Sequence, residues 1–166
     1  REWAARAEKL WRDANEGGAG LPAITYVVEY KFDGLTISLT YEGGTLVQAA
    51  TRGNGEVGEA ILEQVRTIRS VPLTIPFAGK LVVQGEGIMR LSALRAYNET
   101  AQEQLKNARN AAAGALRNLD PKVTARRKLD AFFYNISLLE GATLSDHLQM
   151  LSFLRENGFP VSRKAV

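Results

Sequence analysis

Between residues 26 and 51 the chain alternates short β-branched and aromatic runs with two-residue turn signals. This alternation constrains the fold more than any other feature. The runs are Tyr26–Phe32, Leu35–Tyr41 and Leu46–Thr51, separated by Asp33-Gly34 and Gly43-Gly44. Asp-Gly and Gly-Gly are favoured hairpin links because their residues accept positive φ. The spacing therefore predicts neighbouring antiparallel strands. Leu81–Glu86 and Ala131–Leu138 have the same texture and predict two more. Helical periodicity fills the rest. Trp3, Ala7, Leu10, Trp11 and Ala14 recur at three- and four-residue spacing, and Gly17-Gly18-Ala19-Gly20 ends that pattern. Ser92 is a suitable N-cap for a helix whose stripe is Leu94, Tyr97, Ala101 and Leu105. Ala111–Leu119 predicts another helix, stopped at Asp120-Pro121, and a last one runs from Ser145 to Gly158 before Pro160. Hairpins with interleaved helices give the α+β class. At 166 residues the chain predicts one domain, with an N-terminal helix and linker over 1–20 and a core over 21–166.

Composition narrows the chemistry. With no cysteine there is no disulfide framework or thiolate metal site, and the single histidine, His147, rules out a His-rich centre, so no metal-ligating residues are assigned. His147 falls in a plain amphipathic helix and is given no role. No apolar run reaches eighteen residues and no secretory leader is visible, so a cytoplasmic protein with no membrane partner is expected. Net charge is +3. Arg109, Arg117, Lys122, Arg126, Arg127 and Lys128 cluster, with only Asp120 to offset them. Such a cluster is either a solvated helix face or a surface for a polyanion.

Three segments carry candidate chemistry. Read as a strand, Val27-Val28-Glu29-Tyr30-Lys31-Phe32-Asp33-Gly34 puts Glu29, Lys31 and Asp33 on one face and Val28, Tyr30 and Phe32 on the other. This describes either a half-buried strand with a wet charged face or a nucleophilic lysine between two carboxylates. Flanking carboxylates favour the charged ammonium, so the nucleophilic reading needs a further cation near the amine. Gly53-Asn54-Gly55-Glu56-Val57-Gly58 matches the glycine pattern of a dinucleotide fold, but no acidic residue lies between Glu63 and Glu86. These glycines are therefore read as shaping a loop beside Arg52. Arg109 and Arg117 bracket Ala111-Ala112-Ala113-Gly114-Ala115, either as core packing with ion-paired arginines or as a phosphate-gripping face.

Taken together, these residues resemble a known family. Glu29-Tyr30-Lys31-Phe32-Asp33-Gly34 is similar to the E-x-K-x-D-G nucleotidyl-transfer motif of NAD-dependent DNA ligases. Ala49-Ala50-Thr51-Arg52-Gly53, Arg109-Asn110-Ala111-Ala112-Ala113-Gly114-Ala115-Leu116-Arg117, Leu119-Asp120-Pro121 and Gly158-Phe159-Pro160-Val161 extend the likeness over about residues 24–163. K-x-D-G alone is shared with ATP-dependent ligases and capping enzymes; the arginine-bracketed alanine run points to the NAD-dependent branch. Gln84 and Val82 stand where the family usually has Arg and Glu, Asn54 and Ala60 where it has Asp, and Ala108 where it has Pro.

The resemblance implies the nucleotidyltransferase-type adenylation fold, incomplete here because the family's later D/E-G-V-V-x-K strand has no copy in these residues. It implies that Lys31 attacks the α-phosphate of NAD, releases nicotinamide mononucleotide and carries AMP to a nick in duplex DNA, in replication and repair. Asp33 completes the catalytic motif with Gly34, Glu29 reads the adenine edge, Arg52 and Glu86 lie near the ribose, and Tyr134 stacks on adenine. Arg109 and Arg117 engage phosphates of the nucleotide and the nick. NAD and Mg2+ are the implied cofactors, and a monomer is expected. The implied enzyme is the larger parent protein, with these residues alone inactive. Two other classes stay open on sequence: an ATP-dependent nucleotidyltransferase, and an inactive relative that only binds nucleotide or DNA.

Overall fold

Gly43 and Gly44 both hold positive φ, 56° and 75°, as a two-residue hairpin turn requires. They join β1 (Leu35–Glu42) to β2 (Thr45–Thr51), with Glu42 opposite Thr45. The computed structural model describes residues 2–15, 24–53 and 58–162. Its other described elements, in chain order, are α1 (Glu2–Ala14), α2 (Leu62–Val65), β3 (Leu81–Ile88), α3 (Leu91–Thr100), α4 (Ala108–Leu116), α5 (Pro121–Arg127), β4 (Asp130–Leu139) and α6 (His147–Glu156). The glycine run predicted to end the first helix and residues 54–57 of the glycine-rich loop lie outside the described residues.

The four strands form one antiparallel sheet in the order β2-β1-β3-β4. Alternation sorts its residues onto two faces. Ile37, Leu39, Tyr41, Leu81, Val83, Ala131 and Phe133 point to one side and are almost wholly buried. Ala111, Ala112, Ala115 and Leu116 of α4 join that core. The small residues of the alanine run therefore pack inward, as their core reading had it, while Gly114 faces open space. Phe159 closes the other end, edge-on to both Tyr41 and Phe133. Each large side chain buried this way contributes about 1.5–3 kcal/mol. The opposite face carries Thr36, Ser38, Gln84 and Glu86, with Thr36 across from Glu86 and Ser38 across from Gln84. These residues are only half-buried.

The structure departs from the sequence reading at several places. Residues 24–33 form no strand: Val28 and Tyr30, the predicted apolar face, are 63% and 61% exposed, so no sheet edge receives them. Asp33-Gly34 is accordingly no hairpin turn. A Cβ on Gly34 would lie 2.1 Å from the Gly87 carbonyl oxygen, so glycine is needed there for close approach to β3. Asp120-Pro121 does not merely stop a helix; it starts one. Asp120 caps α5 by accepting from the Lys122 N–H at 2.9 Å, and Pro121 occupies the first helical turn, where its missing N–H costs nothing. Likewise Asn107, not the alanine run, begins α4, its Oδ1 accepting from the Asn110 N–H. Ser92 lies inside α3, whose N-cap is Arg90, and Ala101 and Leu105 fall beyond that helix. The last helix begins two residues later than predicted, with Asp146 accepting from the Gln149 N–H.

Candidate active site

The half-buried sheet face gathers several of the predicted residues around Glu86. One oxygen of this carboxylate accepts from the Gly34 backbone N–H and the other from the Thr36 hydroxyl, both at 3.2 Å. These two bonds tie the end of the Lys31 segment to β3. Tyr134 lies beside them, near enough to Glu86 and Arg52 to feel both charges. Its phenol is held above its ordinary value, first by burial and then by the Glu86 charge, with Arg52 nearby acting the other way. Thr36, Ser38, Arg52, Gly58, Gln84 and Tyr134 line one cavity of about 500 Å³. Asn135 donates to Gln84 Oε1 at 3.1 Å, so Gln84 is held from the edge strand. The structure thus brings Gly34, Arg52, Glu86 and Tyr134 together.

Arg52 is placed by its neighbours on both sides. Its N–H donates to the Thr36 carbonyl at 3.2 Å. The loop after it is pinched where Thr51 and Glu59 exchange hydrogen bonds at 3.0 Å. A Cβ on Gly58 would sit 1.9 Å from the Thr51 carbonyl oxygen, so this glycine serves the pinch.

Lys31 is exposed and has no hydrogen bond or ion pair among the described residues. The two carboxylates expected to flank it are drawn elsewhere. Asp33 pairs with Arg109 Nη1 at 3.0 Å. Glu29 Oε2 meets His147 Nε2 at 2.5 Å. Loss of the strand causes this divergence, because the regular alternation that would align the three side chains is absent. Phe32, immediately after Lys31, stacks on Phe132 with ring centroids 4.3 Å apart and planes 8° from parallel. Arg90 lies over the Phe132 ring at 5.9 Å and pairs with Asp130. A ring stack and a crowded glycine therefore follow the lysine within three residues.

The arginine helix matches the core-packing reading given to it, with its arginines ion-paired. Arg109 and Arg117 are exposed, and each pairs with a carboxylate, Arg109 with Asp33 and Arg117 with Glu59 at 3.3 Å. Through those partners α4 faces both the Lys31 segment and the Arg52 loop. Within the wider basic cluster, Arg127 turns inward. Its Nη1 donates to the Ala111 carbonyl at 2.9 Å and its guanidinium lies over the Tyr97 ring. Lys122, Arg126 and Lys128 remain exposed.

Sequence reasoning missed Thr36 and His147. Thr36 becomes findable once the register of β1 on β3 is known, since it lies across from Glu86. His147 carries no local signal, being 118 positions from its partner. Among the described residues no group of three or more His, Cys, Asp or Glu converges, so these side chains do not fit a resident metal cage. No described helix is long and apolar enough to cross a membrane.

Comparison with known proteins bears on this arrangement. The family profile described as NAD-dependent DNA ligase adenylation domain matches residues 1–166. Over 160 residues the chain is 62% identical to a protein named DNA ligase from Alkaliphilus oremlandii (strain OhILAs), covering 96% of this chain and 23% of that protein. It is 51% identical over 160 residues to a DNA ligase from Finegoldia magna, covering 96% and 24%. It is 46% identical over 162 residues to DNA ligase 2 of Clostridium acetobutylicum, again covering 96% and 24%. The chain spans about a quarter of the length of the curated relatives it matches.

Proposed function

From the premise that this chain belongs to the NAD-dependent DNA ligase adenylation domain family, we propose that it activates a DNA ligase by carrying AMP on Lys31. The neutral Lys31 amine attacks the α-phosphorus of NAD. A nitrogen–phosphorus bond forms, the pyrophosphate oxygen–phosphorus bond breaks, nicotinamide mononucleotide leaves, and the amine proton passes to solvent. AMP then moves to the 5′-phosphate of nicked duplex DNA, and the 3′-hydroxyl displaces it. The observation that carries this reading is that Glu86 ties Gly34 and Thr36 beside a cavity lined by Thr36, Arg52 and Tyr134, three residues along the chain from an exposed lysine.

Each residue has a role suited to its chemistry. Glu86, already accepting two protein donors, orients Gly34 and Thr36 and faces the ribose. Tyr134 offers its ring to adenine. Arg52 supplies positive charge beside the sugar-phosphate. Arg109 exchanges Asp33 for phosphate when the nucleotide binds, and Arg117 exchanges Glu59 for the nick phosphate. Arginine favours such exchanges because its planar fork matches phosphate with two hydrogen bonds. Glu29 reads the adenine edge. Mg2+ would be held mainly by substrate phosphates and water rather than by a protein cage. The parent enzyme works as a cytoplasmic monomer in replication and repair, with no membrane partner.

The test is covalent labelling. Incubating the parent protein with NAD should add one AMP to Lys31, located by peptide mass spectrometry, and Lys31→Ala should abolish it. An adduct on another lysine, or none on the wild-type protein, rejects the assignment.

A further inference from the structure

Lys31 lies in a stretch that belongs to no strand or helix, so its aim is set by whatever pins its neighbours. The three residues after it are each tied to a different element. Phe32 stacks on Phe132 of β4, with ring centroids 4.3 Å apart and planes 8° from parallel. Asp33 pairs with Arg109 of α4, and the Gly34 N–H donates to Glu86 of β3. Phe132 and Glu86 stand directly across from each other in the β3–β4 register, so the first and third pins share one place on the sheet. The pins are unequal. Arg109 and Asp33 are 62% and 72% exposed, so their attraction is screened, and this pair opens when Arg109 turns to phosphate. The ring stack is then the pin nearest the lysine. Phe32 and Phe132 are both half-buried. Arg90 lies over the Phe132 ring at 5.9 Å and is paired with Asp130 on the same strand. A cation over an aromatic face is attracted by the ring quadrupole, so Arg90 steadies the surface on which Phe32 rests.

We propose that Phe132 is a positioning residue for lysine adenylation: stacked on Phe32, it holds the backbone from which the Lys31 amine reaches the α-phosphorus. The inference rests on the function proposed above and deepens it. The Phe132 ring carries no group that takes or gives a proton or grips phosphate, so its contribution is orientation. Attack needs the amine within about 3–3.5 Å of phosphorus, and a misplacement of about 1 Å slows such a reaction severely. Releasing the stack therefore costs rate at saturation, not affinity for the dinucleotide. The sealing step provides a contrast. There AMP already sits on the 5′-phosphate and the 3′-hydroxyl is the nucleophile, so the aim of the lysine no longer matters.

The experiment compares Phe132→Leu, Phe132→Tyr, Phe32→Leu and the double Leu variant in the parent enzyme. Leucine keeps apolar bulk and removes the flat face, whereas tyrosine keeps the ring. Lys31 labelling at saturating NAD should slow about tenfold in each single Leu variant, the scale of a lost aromatic pair, while KM for NAD moves by less than about twofold. Phe132→Tyr should label at nearly the wild-type rate. The double variant should be no slower than either single one, because each already breaks the same stack. Nicks supplied with AMP already on the 5′-phosphate should be sealed by the Leu variants as fast as by the wild type, a readout that general loosening of the domain would lower too. Undiminished labelling in Phe132→Leu, a slowdown carried by KM, multiplied losses in the double variant, or parallel loss of the sealing step would overturn the proposal. A wild-type enzyme that never labels Lys31 refutes the proposed function and this role with it. A wild type that labels Lys31 beside a Phe132→Leu variant that labels equally fast refutes this role alone.

Discussion

Tyr41 shows how one side chain joins stability to pH. Its ring is fully buried between the sheet and Phe159, and its hydroxyl donates to the Pro72 carbonyl at 2.7 Å. Burial pushes the phenol far above its ordinary value. A phenol titrating higher in the folded state than in the unfolded chain contributes stability that is complete below about pH 10. That contribution is lost as pH rises from there towards the folded value. Tyr134, raised less, adds to the same slope. Tyr41→Phe should therefore be less stable by about 1 kcal/mol at neutral pH, having lost one hydrogen bond and left the Pro72 carbonyl unsatisfied. Its stability should nevertheless fall less steeply than the wild type's above about pH 10. Urea melts across that range check both halves, and parallel curves for the two proteins would contradict the account. The burial of Tyr41 was implicit in the alternation of Leu35–Tyr41. The polar pairings of Glu29, Asp33 and Glu86 were not, because each partner lies fifty or more positions away in sequence.

At the scale of elements, most strands and helices were legible because hydrophobic period and turn chemistry agree there. The Gly43-Gly44 hairpin is the clearest case, with both residues at positive φ. The failures share one cause: a local signal with two structural meanings. Asp-Gly marks a hairpin turn or a close backbone crossing, and only the facing carbonyl of Gly87 decides between them. Asp-Pro marks the end of one helix or the cap of the next, and here it caps α5. The strand predicted over 26–32 fails because period two is necessary for a strand but a partner is also required. Helix α4 poses the functional question at this scale. Arg109 and Arg117 are 62% and 52% exposed, so their ion pairs with Asp33 and Glu59 are screened and add little stability. Replacing either arginine with alanine in the parent enzyme should leave the melting temperature nearly unchanged. Nick sealing should slow by roughly a hundredfold or more, the size of a lost phosphate contact in a desolvated site. Parallel loss of melting temperature and activity would instead mark both arginines as structural.

Across the whole molecule, the cavity lined by Thr36, Ser38, Gln84 and Tyr134 rests on one sheet face, with the exposed Arg52 among its lining residues. Dinucleotide affinity depends on enclosing the ligand from more than one side, since ordering costs offset the first contacts. The 166 residues alone should therefore give no detectable AMP on Lys31 under conditions where the parent labels fully. Clean labelling of the isolated chain, read by intact-mass spectrometry, would show that these residues already suffice. The crossing of Gly34 over Gly87 has a consequence for what the gene tolerates. Backbone crowding and the Glu86 bond peg residue 34 to β3, and Lys31 hangs from that peg on an arm of three residues, at most about 10 Å of chain. The Phe32–Phe132 stack shortens the free part of the arm to a single residue. A lengthened arm would swing the amine through a larger volume, and a shortened one would fall short of phosphorus. Insertions and deletions should thus be forbidden between 31 and 34, whereas the chain ahead of Glu29, paired with no strand, has room to vary in length.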